Sequence, residues 1–412
     1  MNKTDIIVVG GGPAGISAAV SARRKGANVI LIERGKFAGS KNVFGGAVYA
    51  HAVREIFPDF EASAPLERKI IKHNYALLGE KDATIVSYQN VDRGEAYSVE
   101  RGKFDRWMAE EARKEGVTIV EETVVRELIR EDGRVTGVRT ELEDYFADTV
   151  IIADGANSVL TEQIGLRGKI EPQDVALSVK EVFKLDPEKI NERFGVTSDE
   201  GSVYQIFGGP MLDMVGLGFL YTNKKTISIG VGVTLDELMR HKLKPYEVLD
   251  DLKAHPSIAP LLKDAALLEY SAHLIPEGGY KKMPKLHAPG VLVAGDAGML
   301  VNNVHWEGTN LAMISGKLAG EAAAAGNLAN YEKELKKSFV MKDLRTYREV
   351  MEAMYKHSGS FLGYYPRKIN EFFAMFTGVD GVPKRTKYRN FIKNFFPKNL
   401  FAIVKLVWSV LR

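Results

Sequence analysis

Between an apolar run at residues 5–9, Asp-Ile-Ile-Val-Val, and a helical stretch at residues 13–25 stands Gly10-Gly11-Gly12-Pro13-Ala14-Gly15. Few folds place such a loop there. It fits the pattern G-x-G-x-x-G. The first glycine permits a tight strand-to-helix turn, the second lets backbone approach a pyrophosphate, and the third allows close helix packing. The helix that follows offers free N–H groups and a positive dipole end to phosphates. Residues 28–33 read as a second strand and complete a βαβ unit. Glu33 ends that strand 18 residues beyond Gly15, where a carboxylate can accept hydrogen bonds from a ribose diol. Gly10, Gly12, Pro13, Ala14, Gly15, Glu33 and the adjoining Arg34 are therefore expected to bind a dinucleotide, whose kind the loop alone does not decide.

Composition narrows the remaining choices. The 412 residues are 45% hydrophobic and 26% charged, which excludes a disordered or fibrous chain. Lys plus Arg is 56 against 53 for Asp plus Glu, without the basic excess of a dedicated nucleic-acid binder, so no nucleic-acid partner is expected. There is no cysteine. Disulfides, thiolate nucleophiles, cysteine-linked flavin and a cysteine-ligated iron–sulfur cluster held by this chain alone are excluded. The eight histidines show no metal-ligand spacing. The apolar residues 1–20 do not read as a signal peptide, because Gly10 to Pro13 interrupt them.

Along the chain, residues 104–115 read as a helix. Short strands are expected at 118–120, 124–129, 135–139, 149–153 and 291–294, with Asp132-Gly133 as a hairpin turn. Residues 175–233 differ, being β-rich and partly alternating with turn signals between, as in an antiparallel sheet. Residues 331–357 are charged and helical. This predicts an α/β protein: a discontinuous Rossmann-like domain of residues 1–75, 98–170 and 266–330, an inserted antiparallel-sheet substrate domain of residues 76–97 and 171–265, and a helical C-terminal region, 331–412. After Asp380 no carboxylate occurs, while Lys384, Arg385, Lys387, Arg389, Lys393, Lys398, Lys405 and Arg412 alternate with aromatic and aliphatic residues. Such a segment suits a helix lying in an anionic membrane interface. Docking on a partner subunit or on the protein's own body is the other reading. Pro397 is expected to split it into two short helices.

Two further pieces specify the dinucleotide. Residues 291–296 form an apolar strand ending in Gly295-Asp296, and Gly308-Thr309-Asn310 opens a helix running to about residue 325. A carboxylate at a strand tip can hold ribityl hydroxyls. A helix N-terminus can face the flavin pyrimidine, where negative charge accumulates on reduction. Asp154-Gly155 ends another strand, although in isolation a plain turn aspartate is the favoured reading. Together the three pieces resemble FAD-dependent oxidoreductases of the glutathione-reductase and aromatic-hydroxylase type. In that group an arginine opening the helix after the first insertion contacts FAD, and Arg101 matches. Residues 39–46 (Gly-Ser-Lys-Asn-Val-Phe-Gly-Gly), 270–280 (Tyr-Ser-Ala-His-Leu-Ile-Pro-Glu-Gly-Gly-Tyr) and 303–312 (Asn-Val-His-Trp-Glu-Gly-Thr-Asn-Leu-Ala) are similar to the FixC branch of the electron transfer flavoprotein–quinone oxidoreductases.

The resemblance runs from about residue 5 to at least 381. It implies non-covalent FAD, electrons arriving from a two-subunit electron transfer flavoprotein, and a membrane quinone as acceptor. Because this chain lacks cysteine, it further implies a separate ferredoxin-like iron–sulfur subunit. Some such complexes bifurcate electrons. The resemblance extends the cofactor-binding set to Lys41, Asn42, Gly45, Gly46 and Val125 and maps Gly278, Gly279 and Tyr280 onto the quinone pocket. Lys41 and Asn42 could equally be solvated loop residues. It implies a peripheral location on the cytoplasmic side of the membrane. No acid–base triad is needed, since FAD carries the chemistry and no side chain is assigned a catalytic role. His305, Glu307, His273, Tyr280 and Glu277 are candidates for relaying protons, each with ordinary packing as the alternative. A geranylgeranyl lipid reductase, an NAD(P)H-dependent aromatic monooxygenase and a non-catalytic docking subunit are competing functions.

Overall fold

The computed structural model describes residues 2–41, 46–92, 95–211, 213–395 and 399–411. It comprises two compact units. The first is Met1–Glu67, Glu95–Val175 and His273–Arg348; the second is Arg68–Gly94, Ala176–Ala272 and Glu349–Arg412. The 331–412 segment is thus shared between the units, with the division at Arg348.

The core of the first unit is a parallel sheet. Strand Asn2–Val9 lies between Val29–Ile32 and Asp144–Ile152. Outside these lie Thr118–Val120, beside Val29–Ile32, and Val291–Val293, beside Asp144–Ile152. Ile6, Ile7, Val8, Val150, Ile151, Ile152 and Val291 are buried, as a strand covered on both faces requires. Each such side chain contributes roughly 1.5–3 kcal/mol on burial. A hairpin, Val125–Glu131 and Arg134–Thr140, extends the sheet antiparallel from Asp144–Ile152. The parallel register brings Val9, Ile152 and Val293 level, so Gly10, Asp154 and Asp296 leave the same end of neighbouring strands. Ligands of open parallel sheets bind beyond those carboxyl ends.

Helix Pro13–Arg24 packs on helix Thr309–Ala324. A Cβ on Gly316 would overlap the Ala14 carbonyl, and one on Gly320 the Ala18 carbonyl. The two backbones therefore touch, at two glycines four residues apart on one helical face. Helix Arg101–Lys114 buries Phe104, Trp107 and Met108 in the same core.

The second unit is a sheet in the order Ala266–Pro276, Val175–Lys184, Thr226–Thr234, Gly216–Thr222, Glu200–Gly208 and Leu66–Leu78, with Ala83–Gln89 on the last strand. It is not wholly antiparallel as expected, for Glu200–Gly208 runs parallel to Leu66–Leu78 from Glu200↔Lys69 to Gly208↔Leu78. The two strands are distant in sequence and joined by no hairpin, so local pattern could not orient them. Val179, Ile206, Leu220, Ile229, Val231 and Leu252 form its core. Arg68, almost fully buried, donates to the carbonyls of Asn223 (2.8 Å) and Thr197 (2.8 Å) and to Asn191 Oδ1 (2.8 Å).

The C-terminal helices of this unit are Val350–Ser358, Tyr365–Thr377, Lys384–Asn394 and Leu400–Leu411, with a π-helical turn at Gly359–Tyr364. Phe391 packs on Phe372 at 5.7 Å, and Phe395 stacks near Tyr364 at 6.4 Å. Phe372 and Tyr364 thus take part in internal packing, while Phe373 and Phe376 remain exposed. The last two helices flank Pro397, which lies outside the described residues. No helix among the described residues is long and apolar enough to cross a membrane.

Candidate functional site

The glycine loop has the geometry a phosphate cradle needs. Gly10 adopts φ +106°, and a Cβ there would run into the Ala153 carbonyl. A Cβ on Gly15 would run into the Gly10 carbonyl. Gly12 faces open space, with nothing within 4 Å of where its Cβ would stand. Pro13 and Ala14 begin the helix and are buried. Glu33 is nearly buried and fixed by backbone: Gly11 N–H donates to Oε2 at 2.7 Å and Gly35 N–H to Oε1 at 2.6 Å. Its carboxylate is thus locked beside the loop.

The other pieces meet at the same sheet end. Gly295 adopts φ +63° and donates its N–H to buried Ser315 Oγ at 3.0 Å. Asp296 follows, and burial pushes its carboxyl up to about 6 while the Arg101 guanidinium pulls it down. Arg101 is buried and held twice by Asp105, at 2.8 and 2.9 Å, while its Nη1 reaches Thr309 Oγ1 at 3.4 Å. The guanidinium therefore sits beside the N-terminus that Gly308, Thr309 and Asn310 open. Asp154 is also pushed up to about 6 by burial, against hydrogen bonding from Ser158 and the charge of Arg167. Gly155 beside it faces open space at φ +87°.

Four buried side-chain atoms in these segments have no hydrogen-bond partner among the described residues: Asp154 Oδ1, Asn302 Nδ2, Asn303 Oδ1 and Asn310 Oδ1. Each costs about 1–3 kcal/mol if left so. Donors and acceptors waiting around a glycine cradle are what a polar, phosphate-bearing ligand completes, and FAD fits them. Other expected contacts are peripheral or undescribed. Arg34 and Lys41 are exposed, and Val125 is half-buried opposite Thr140. Gly46 accepts from Val99 N–H at 2.9 Å. Asn42 and Gly45 lie outside the described residues.

Gly278, Gly279 and Tyr280 lie where strand Ala266–Pro276 turns into helix Gly279–Lys282. The turn is tied on both sides of Glu277, whose N–H donates to the Asp174 carbonyl (2.7 Å) and whose carbonyl accepts from Asn303 Nδ2 (2.9 Å). Tyr280 packs partly on the first unit's core. Burial, with the cations Arg101 and Arg34, lowers His273 to about 4. Desolvation raises Glu277 to about 8. His305 is exposed and edge-on to Tyr347 at 4.8 Å, and Glu307 bridges Asn302 through backbone. Sequence reasoning missed Asp105, Ser315, Gly316 and Gly320. Asp105 was readable as the i+4 partner of Arg101, and the two glycines as a small-residue stripe.

Comparison with known proteins shows the family. Residues 5–158 match the family described as FAD dependent oxidoreductase, residues 175–275 that described as ETF-QO, ubiquinone-binding, and residues 334–412 the ETF-QO/FixC family C-terminal domain. The chain is 41% identical to Protein FixC of Bradyrhizobium diazoefficiens over 95% of this chain and 94% of that protein. It is 40% identical to Protein FixC of Azotobacter vinelandii over 98% and 97%. It is 37% identical to the probable electron transfer flavoprotein-quinone oxidoreductase YdiS of Escherichia coli over 93% and 92%. Among solved structures, a geranylgeranyl bacteriochlorophyll reductase-like protein from Thermoplasma acidophilum has TM-score 0.76 at 20% identity, over 98% of this chain and 100% of that one, a likeness of fold. With its glycine cradle, its strand-tip carboxylates and relatives matched over nearly their full length, the chain belongs to the ETF-QO/FixC family of FAD-dependent oxidoreductases.

Proposed function

We propose that this protein passes electrons from its FAD to a membrane quinone. The observation that carries the reading is the near-full-length identity to FixC proteins together with the ubiquinone-binding family match over residues 175–275. When bound, FAD supplies a carrier that accepts electrons singly and delivers them in pairs. The chain's own residues do the rest. Gly10, Gly12 and Gly15 admit the pyrophosphate, and Glu33 is aimed at the ribose. Asp154 and Asp296 hold ribityl hydroxyls. Arg101, clamped by Asp105, places positive charge beside the Thr309 helix terminus, favouring a reduced, more negative flavin. Gly278, Gly279 and Tyr280 contact the quinone.

Electrons enter from a two-subunit electron transfer flavoprotein. With no cysteine in this chain, the iron–sulfur relay is carried by a separate ferredoxin-like subunit. The protein sits peripherally on the cytoplasmic side of the membrane. Support comes from the C-terminal helices, where Ile392, Phe401, Val404, Val407 and Trp408 are exposed beside Arg385, Arg389, Lys393 and Lys405. A geranylgeranyl bacteriochlorophyll reductase-like protein shares the fold, but a likeness at 20% identity gives no reason to prefer a geranylgeranyl lipid as substrate. Reoxidation of the reduced protein by quinone and not by a prenyl lipid tests the assignment.

A further inference from the structure

In the first unit, the loop after helix Gly279–Lys282 and the helices Ala329–Lys337 and Phe339–Thr346 line a cleft of about 260 Å³. Its apolar lining is Leu286, Leu335 and Met341, all buried, with half-buried Met283. Lys285 and Lys336 line it too and are exposed. Pockets for cofactors and drug-sized molecules run from roughly 300 to 1,000 Å³, so this cleft suits a side chain or two. Methionines adapt their shape to an incoming group.

Charge is sorted around the cleft. Across residues 281–286 and 329–345, every exposed charged side chain is a lysine or arginine. The carboxylates there, Glu332, Glu334 and Asp343, are half-buried. Glu332 faces His287 Nδ1 at 3.0 Å and accepts from the Leu286 N–H at 3.4 Å, and Glu334 pairs with Lys337 at 2.8 Å. Lys336, 3.8 Å from Glu332, is too far for a hydrogen bond.

The cleft also backs onto the cofactor end of the sheet. The Leu286 carbonyl accepts from Val293 N–H at 2.9 Å. Leu286 Cδ2 lies 2.9 Å from where a Cβ on Gly298 would stand. Gly298 closes the turn Gly295–Gly298 that carries Asp296. Leu286 therefore both lines the cleft and abuts that turn.

Resting on the reading that electrons enter from a separate protein, we propose that this cleft is where the donor docks. The donor is a small acidic iron–sulfur protein that seats an apolar side chain against Met283 and Leu286 and sets carboxylates against Lys285 and Lys336. The occupant follows from charge and place. The cationic surround calls for an acidic surface, which also steers the encounter. The apolar seat calls for a buried anchor. Contact with the Asp296 turn calls for a partner that exchanges electrons with the cofactor. With no cysteine in this chain, the cluster belongs to that partner. Each encounter oxidises the partner's cluster by one electron and passes that electron to FAD. Two encounters complete the reduction, with protons from water.

Lys285→Glu/Lys336→Glu reverses the charge beside the cleft and leaves its buried lining intact. The probe is a recombinant acidic [4Fe–4S] ferredoxin, reduced anaerobically and mixed with the FAD-loaded protein in a stopped-flow instrument. Wild-type flavin reduction should be fast at low salt and slow steeply as ionic strength rises. The double variant should be about tenfold slower or more at low salt and nearly insensitive to salt. Its FAD content and its reduction by dithionite should match wild type. Lys184→Glu/Lys225→Glu makes the same charge change at exposed lysines of the second unit and should behave as wild type. Carbodiimide cross-linking should join ferredoxin carboxylates to Lys285 or Lys336. A double variant as fast as wild type, a control slowed as much, or cross-links confined to other lysines overturns the docking site while the donor reading stands. Ferredoxin kinetics left intact while binding to phosphatidylserine vesicles is lost overturns it as well and makes the patch a lipid surface. A wild type that dithionite reduces and ferredoxin does not overturns both.

Discussion

The cofactor site turns on single atoms, and each can be tested alone. Gly12→Ala meets nothing among the described residues, so folding of the apoprotein should be unaffected. Its methyl would stand in the pyrophosphate cradle, and FAD affinity should fall about tenfold or more, roughly 1.4 kcal/mol or above, as read by fluorescence titration. Asp296→Ala should lose most of its FAD on gel filtration; undiminished flavin content would remove Asp296 from the site. Burial raises Asp154 and Asp296 to about 6. The folded apoprotein therefore holds more protons than the unfolded chain between about pH 4 and 6, and its stability falls as pH rises through that window. FAD hydroxyls donate to the ionised carboxylates, so FAD affinity should change the other way, weakening as pH falls below about 6. Thermal melts of apoprotein and FAD titrations at pH 5 and 7 check both signs. The place of Glu33 beside the loop, where Gly11 and Gly35 N–H hold its carboxylate, was legible in the sequence from its spacing. Asp154 was ambiguous, since Asp-Gly ends turns of every kind; the structure sets it level with Gly10 and Asp296.

At the level of elements, the site depends on two helices held closer than ordinary side chains allow. Gly316→Ala would push helix Thr309–Ala324 off the Ala14 carbonyl. The expected cost is about 1–3 kcal/mol, a melting-temperature drop of roughly 3–10 °C, with FAD loss because Thr309 and Asn310 move with the helix. Unchanged stability would mean the contact is not close. The parallel strands were readable as short buried apolar runs. Which of them stand side by side was not, because pairing Asn2–Val9 with Asp144–Ile152 spans more than a hundred residues. The parallel pairing of Leu66–Leu78 with Glu200–Gly208 escaped for the same reason.

For the molecule as a whole, sequence showed a basic, acid-free tail, and the structure sorts its charges. Lys384 donates to the carbonyls of Phe376 (2.7 Å) and Gly378 (2.7 Å), and Lys387 pairs with Asp380 at 2.6 Å. These two close the end of helix Tyr365–Thr377. Arg385, Arg389, Lys393 and Lys405 stay exposed, each worth about 1 kcal/mol at an anionic surface. Removing residues after Asp380 should release the protein from anionic liposomes with flavin retained, and salt should weaken the intact protein's binding. Liposome binding unaffected by the deletion would count against the tail as anchor. Reduced anaerobically and mixed with a menaquinone or ubiquinone analogue, the flavin should reoxidise fast and with saturation, and remain reduced with a geranylgeranyl lipid. Reoxidation by the lipid and not by quinone would overturn the quinone assignment and make the protein a prenyl reductase.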